Sequence, residues 1–187
     1  VMKIGQGAFS CCDNLESIKV DKNNKIYDSR ENCNAIIEKS SSALIAGCKN
    51  TEVPSGVTQM GERAFYGCSG LTSITLPESV TEIGEFAFSD CSGLTSITLP
   101  ESVTEIGEFA FSDCSGLTSI TLSDRITKIG DGVFCGCSHL TSMVLPNSVA
   151  EVNSMAFVGC DNLTSITWKG KVYGSVNDFF DSGVKII

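Results

Sequence analysis

The sequence predicts a repeat solenoid, mainly β, in which 23-residue coils stack with short parallel strands and short helical or 3₁₀ turns. Three observations carry this. Ser69–Cys91 read SGLTSITLPESVTEIGEFAFSDC, and Ser92–Cys114 repeat that string without a change. Phe65, Phe88, Phe111, Phe134 and Phe157 fall 23 apart, in step with Cys68, Cys91, Cys114, Cys137 and Cys160 and with Leu71, Leu94, Leu117, Leu140 and Leu163. Apolar Ile74 and Leu76 alternate with polar Ser73 and Thr75, the period of a strand with one buried face. One such unit cannot bury its own apolar face, but stacked units bury a continuous core.

Each part of the coil has a physical reading. In LTSITLP the strand ends at Pro77, which cannot donate to a ladder. Val80 and Ile83 mark a second apolar segment. Gly84 follows, in a column with Gly61, Gly107, Gly130 and Asn153, and Gly alternating with Asn predicts a left-handed backbone there. EFAFSDC predicts a tight helical or 3₁₀ turn, with small Ala64, Ala87, Ala110 and Ala156 where coils come close. Stacking at the strand spacing of about 4.8 Å sets like residues over like, so the core should be vertical ladders of Phe, Leu, Ile and Cys.

Two stretches break the period. In residues 20–48, NAIIEK and ALIAGC flank a Ser-rich turn and predict a β-hairpin inserted into a coil. Phe9, Cys12 and Leu15 precede Phe65, Cys68 and Leu71 by 56 residues, one period plus 33, as a lengthened coil requires. Residues 168–187 read as a degenerate last coil that caps the stack, with Val172, Phe180 and Ile186 placed 23 after Val149, Phe157 and Leu163. The whole of 1–187 reads as one solenoid, and its opening VMKIGQGAFSCC, in mid-pattern, suggests a fragment of a longer protein.

The unit Leu-x-x-Ile-x-Leu-Pro-x-x-Val-x-x-Ile-Gly-x-x-Ala-Phe-x-x-Cys resembles the 23-residue leucine-rich repeats of the BspA-like, or Treponema-type, family. The inserted YDSRENCNAIIEKSSSALIAGCKNTEVP resembles a longer variant coil of that family in Bacteroides-type bacteria. The resemblance implies a solenoid outside the cell or on its outer surface. Some relatives adhere to host matrix proteins, other bacteria or epithelial cells. It implies no shared catalytic residues, so none carries over, and no cofactor.

The residues narrow the function classes further. With 13 Lys+Arg against 22 Asp+Glu, the net charge of −9 disfavours nucleic acid, which is held by cationic neutralisation of phosphates. No apolar run approaches the roughly 18 residues of a membrane span, so no membrane insertion by this segment is expected, and a monomer is. Six of the ten cysteines, Cys12 among them, occupy the repeat slot, where a small buried thiol packs as an apolar residue. Cys33 and Cys48 flank the hairpin outside that register, and a bridge between them stays open. Cys135 and Cys137 form a C-x-C without a partner pair, too few ligands for zinc. The single His139 sits in an exposed turn slot. No nucleophile elbow, phosphate loop or dinucleotide fingerprint is present, and a chain that repeats like residues does not converge unlike ones, so no enzyme is expected.

Two surfaces remain as candidates. Outward strand positions Ser73, Thr75, Ser96, Thr98, Ser119, Thr121, Ser142, Ser165 and Thr167 predict a hydroxyl-lined face of the kind that curved solenoids use for binding. Tyr27, Arg30, Glu31 and Asn32 break the monotony at the hairpin and are expected to give specificity. Beside them run acidic columns, Glu82 over Glu105 and Glu85 over Glu108, with Lys128 placed to relieve the first. They read as a solvated edge, screened by water and salt; the sharper alternative is a site for Ca²⁺ or a basic partner patch, although no D-x-D-x-D-G calcium loop is present. The expected function is a non-enzymatic surface or secreted module that adheres to host or bacterial surface proteins or glycans. The alternative is a structural stalk presenting another domain.

Overall fold

The coils Ser92–Cys114, Ser115–Cys137 and Ser138–Cys160 each contribute two short strands, every one paired in parallel with a counterpart one period away. In the computed structural model, which describes residues 1–187, Ser96–Thr98 pairs with Ser119–Thr121, and Ser142–Val144 with Ser165–Trp168. The second segment, read from sequence only as apolar, forms the strands Gln59–Met60, Glu82–Ile83, Glu105–Ile106, Lys128–Ile129 and Glu151–Val152. Partners such as Ile97 and Ile120, or Met60 and Ile83, sit directly opposite, so the 23-residue period becomes vertical ladders. Ser73–Thr75 follows the same path without ladder pairing; there the coils are tied by the Thr95 N–H donating to Thr72 O at 3.3 Å.

The core is the aromatic ladder the spacing predicts. Phe65, Phe88, Phe111, Phe134 and Phe157 stack with ring centroids 5.2, 5.4, 5.9 and 5.9 Å apart and planes within 13° of parallel. These lie in the range where offset rings attract. Cys68, Cys91, Cys114, Cys137 and Cys160 are buried free thiols. Their role is more than filling space: Sγ of Cys91, Cys114, Cys137 and Cys160 donates to the carbonyl of Phe65, Phe88, Phe111 and Phe134 in the preceding coil, at 3.0–3.2 Å. Cys12 departs from the expectation and is exposed.

The EFAFSDC segment is a zigzag of turns rather than a helix. Ala87, Ser89 and Cys91 N–H groups close i→i+3 turns within the coil, while the alternate Phe86, Phe88 and Asp90 N–H groups donate to Glu108, Ala110 and Ser112 of the next coil. One segment thus turns the chain and joins the stack. Its left-handed residues are not the predicted glycines: they fall two and six positions later, at Arg63, Phe86, Phe109 and Gly132 and at Gly67, Asp90, Asp113, Gly136 and Gly159. Gly84 and Gly107 are instead required by close approach, since a Cβ would stand 2.7 Å from Met60 O and 2.5 Å from Glu85 N. The left-handed backbone turns Phe86 and Phe109 outward, where their rings stack at 5.1 Å and the Arg63 guanidinium covers Phe86 at 4.7 Å.

The stack opens at one level. Glu105–Ile106 does not pair with Lys128–Ile129, nor Ser119–Thr121 with Ser142–Val144. The turn edge stays closed there, with Phe109, Phe111 and Asp113 N–H groups donating to Asp131, Val133 and Cys135. A wedge of about 320 Å³ separates the two coils along the Glu105 strand.

Both irregular stretches take definite forms. The predicted hairpin is present as Ile36–Glu38 against Ala43–Ala46, with Tyr27–Asp28 added as a third antiparallel strand. Ala43–Ala46 then pairs in parallel with Gln59–Met60, which welds the insertion to the solenoid. The terminal segment is not a coil in register. Trp168 pairs with Lys171 in a hairpin, Val176–Phe180 forms one short helix whose N-cap Ser175 hydroxyl accepts from the Asp178 N–H at 3.0 Å, and Lys185–Ile186 pairs with Glu151–Val152. Phe179, not Phe180, closes the core, edge-on to Phe157 at 6.5 Å, and Ile186 caps the Ile/Val column rather than the Leu column. Val172 faces solvent.

Candidate functional site

The strand register decides which hydroxyls are free. Thr95 and Thr118, one residue before the strands, donate Oγ1 to Thr72 O and Thr95 O, at 3.4 and 3.0 Å, and so tie coils together. The strand hydroxyls themselves project from the opposite side of Ile97 and Ile120, which fill the core. Ser73, Thr75, Ser96, Thr98, Ser119, Thr121 and Ser142 are exposed, and Ser165 and Thr167 half-buried. None of the nine hydroxyls bonds within the chain. Their donors and acceptors are met only by solvent or a ligand. A shallow groove of about 400 Å³ runs between Ser73–Leu76 and Ser96–Thr98, floored by Ile74 and Ile97. At the far end Val144 and Val172, 65% and 63% exposed, replace hydroxyls with apolar surface.

The hairpin candidates separate on burial. Tyr27 is 4% exposed, packed with Ile18, Ile36, Ala46 and Cys48, and its hydroxyl accepts the Ile4 N–H at 3.2 Å. It holds the insertion together, so Tyr27→Ala would loosen the hairpin instead of reporting on a ligand. Arg30 is half-buried and grips Asp28 with Nε and Nη2 at 2.9 and 3.0 Å. Partial burial pushes the Asp28 carboxyl up, but the bonds from Arg30 outweigh it and hold the carboxyl below its ordinary range. Glu31 and Asn32 are exposed, both in left-handed backbone at φ 58° and 54°. Cys33 and Cys48 are buried thiols, and Cys48 Sγ donates to Asn34 O at 3.4 Å.

Lysines that sequence reasoning passed over join this site. Lys19, Lys22 and Lys39 line, with Arg30, an open groove of about 750 Å³ beside the insertion. The signal was present in the chain: residues 1–50 hold seven Lys/Arg against six Asp/Glu, whereas residues 51–127 hold two against eleven. Elsewhere the acidic column is milder than the spacing suggests. Glu82 accepts from Gln59 Nε2 at 2.6 Å and stands in register with Glu105. Lys128 is in register with Glu151, across the wedge from Glu105, so the relief expected for Glu105 goes to Glu151. The Lys185 ammonium, bonded to Glu151, holds that carboxyl below its usual range. His139 is exposed, with Nδ1 2.6 Å from Ser115 O. No three His, Cys, Asp or Glu side chains converge as metal ligands would, and no helix is long and apolar enough to cross a membrane.

Thiol exposure makes a first prediction. Burial pushes the Cys68 and Cys160 thiols up to about 11 and about 12, and those of Cys91, Cys114 and Cys137 still further. The thiolate is the reactive form. Iodoacetamide at pH 8 is therefore expected to label Cys11 and Cys12 first, then Cys135, and to leave the seven buried cysteines unmodified until urea is added. Peptide mass mapping checks this; rapid labelling of Cys114 in the native protein would contradict a closed core.

Comparison with known proteins places this geometry. The model of the BspA type leucine rich repeat region matches residues 1–46 and 58–186, in six copies. No curated protein matches the chain. Among solved structures, a leucine-rich repeat protein from Eubacterium ventriosum is 27% identical with a TM-score of 0.76, over 88% of this chain and 45% of its own. One from Bacteroides ovatus is 29% identical with a TM-score of 0.67, over 87% and 40%. A leucine rich cell surface protein from Faecalibacterium prausnitzii is 27% identical with a TM-score of 0.61, over 99% and 48%. The chain thus spans less than half the length of each of the three. Its period, its stacked Phe and Cys ladders and the match over nearly every residue lead to one assignment: the chain belongs to the BspA-type leucine-rich repeat family.

Proposed function

We propose that this chain is a non-enzymatic adhesion module, displayed on the outer surface of a cell or secreted, that contacts host or bacterial surface proteins or glycans. The observation that carries the reading is the rank of strand hydroxyls held in register and unbonded within the chain. Regular spacing lets many weak contacts act together on a repetitive ligand. The cell-surface designation of the Faecalibacterium relative supports the location. The face lacks the aromatic and Arg anchors that dominate compact protein interfaces, which favours a broad, avid contact over one tight anchor.

The test is label-free binding to immobilised matrix proteins and mucin glycans at physiological salt. Saturable binding that Ser96→Glu combined with Ser119→Glu weakens by about tenfold or more is expected, because each new carboxylate breaks the uniform face. Binding that the variant leaves unchanged would move the contact off this face. An absence of binding would favour a spacer role, to which the identical coils Ser69–Cys91 and Ser92–Cys114 are equally suited.

A further inference from the structure

The net negative charge of this protein is concentrated in its middle. Residues 51–127 hold eleven carboxylates against two cations, which equals the whole net charge of −9, while residues 1–50 carry a net +1. Within that first stretch the fold gathers four cations, Lys19, Lys22, Arg30 and Lys39, around one open groove of about 750 Å³. Two carboxylates share it, Asp28 and Asp21, so four cations against two anions leave the groove a formal charge of +2. Asp28 is engaged by Arg30 through two bonds, and Asp21 Oδ1 accepts the Asn23 N–H at 2.8 Å. Lys39 Nζ donates to Asn24 O at 2.6 Å, which fixes it at the rim with donors to spare. Lys19 and Lys22 make no ion pair at all. The exposed Asn32 adds an amide, held at its position by a left-handed backbone.

The lining also indicates what kind of anion fits. Val20 is its one apolar residue, so the groove offers no pocket for the anchors of a peptide. It holds no aromatic ring on which nucleobases could stack. What it presents is a set of charged and neutral hydrogen-bond donors over a polar floor, the complement of a sugar ring bearing acid groups. We infer that the groove between Lys19, Lys22, Arg30, Lys39 and Asn32 binds an acidic glycan, one carrying uronate carboxylates or sulfates. The inference rests on the adhesion reading above and gives that function a ligand class separate from the hydroxyl face. Salt screens charges beyond about 8 Å at physiological strength, so the local cations rather than the distant acidic coils govern contact there.

The experiment uses the full chain and its Lys19→Gln, Lys22→Gln double variant, whose side chains hold no other element in place. Binding to immobilised heparin, polygalacturonate and a neutral glucan is measured at physiological salt, with circular dichroism to confirm that the variant is folded. Retention of one or both acidic polymers, little of the glucan, and a loss of about tenfold or more in the variant are expected. Polygalacturonate bears carboxylates alone and heparin bears both groups, so retention of polygalacturonate shows that carboxylate suffices and retention of heparin alone shows that sulfate is needed. Equal binding by variant and parent, equal retention of the neutral glucan, or single-stranded DNA bound as tightly as either acidic glycan would each overturn the proposal. The Ser96→Glu, Ser119→Glu variant is run alongside: it should lose matrix binding and keep the acidic glycan. Failure of the groove and failure of the hydroxyl face are therefore read separately.

Discussion

Phe111→Ala is expected to destabilise the chain by about 3–5 kcal/mol, the range for deleting a buried aromatic ring. Phe111 is wholly buried and sits between Phe88 at 5.4 Å and Phe134 at 5.9 Å, so truncation removes two stacking contacts as well as buried area. The loss should also be structural in its distribution. A solenoid holds each coil mainly through its neighbours, so a void at the middle coil weakens coupling between the two halves. Urea unfolding followed by circular dichroism is expected to show a lower midpoint and a broader transition than the parent. Hydrogen exchange should quicken first at Phe88 and Phe134, whose N–H groups bond to Ala110 and Ala156. A loss below about 1 kcal/mol would mean that the ring ladder is not the principal core.

Gly107→Ala is the second large effect, and Gly130→Ala is its control in the same column. A Cβ on Gly107 would lie 2.5 Å from Glu85 N and 2.7 Å from Gly84 C, both backbone atoms that cannot rotate aside. The coils would have to part there and stretch the bond from Gly107 N–H to Ile83 O, now 2.7 Å. Overpacking of this kind costs about 1–3 kcal/mol, and two fixed backbone atoms put this site at the upper end. Gly130 borders the wedge, where the nearest atom to an added Cβ is Val133 Cγ2 at 3.9 Å, and its φ is not positive. Gly130→Ala should be neutral or stabilise by about 0.4–1 kcal/mol, through reduced freedom of the unfolded chain. Thermal melts of the two variants decide the matter: equal effects would mean that close approach is not what the column selects.

The glycine column shows how far sequence reasoning reached. Gly giving way to Asn153 suggested left-handed backbone, yet the left-handed residues are Phe86 and Asp90 and their counterparts. Nothing local marks them, because a bulky residue in that region is tolerated only where neighbouring coils fix it. The column admits Asn153 at a closed level, where its N–H donates to Ile129 O at 2.8 Å and its Oδ1 accepts the Met155 N–H at 2.8 Å. The Cys slot was legible as a buried thiol, but its bond to the preceding Phe carbonyl needed the stack to exist. Of the candidate sites, the strand hydroxyls follow from alternation, and the structure leaves them free as the pattern implies. Tyr27 looked like a surface landmark because it interrupts a monotonous stretch, whereas the second small core claims it. At the far end, counting by 23 put Phe180 and Ile186 in the wrong columns, since a hairpin and a short helix consume a different length of chain.

The sequence by itself determined the solenoid, its period, the order of the Phe, Leu, Ile and Cys ladders and the side of each strand that faces water. Those follow from one-dimensional spacing, because a constant period sets like residues over like whatever the details of each turn. Only the tertiary structure decided which glycines are there for room rather than for φ, where the stack opens, how the last segment closes it, and that Lys19, Lys22, Arg30 and Lys39 share one groove. Each of these depends on contacts between residues distant along the chain and on the few irregular segments, where no repeat exists to carry the register.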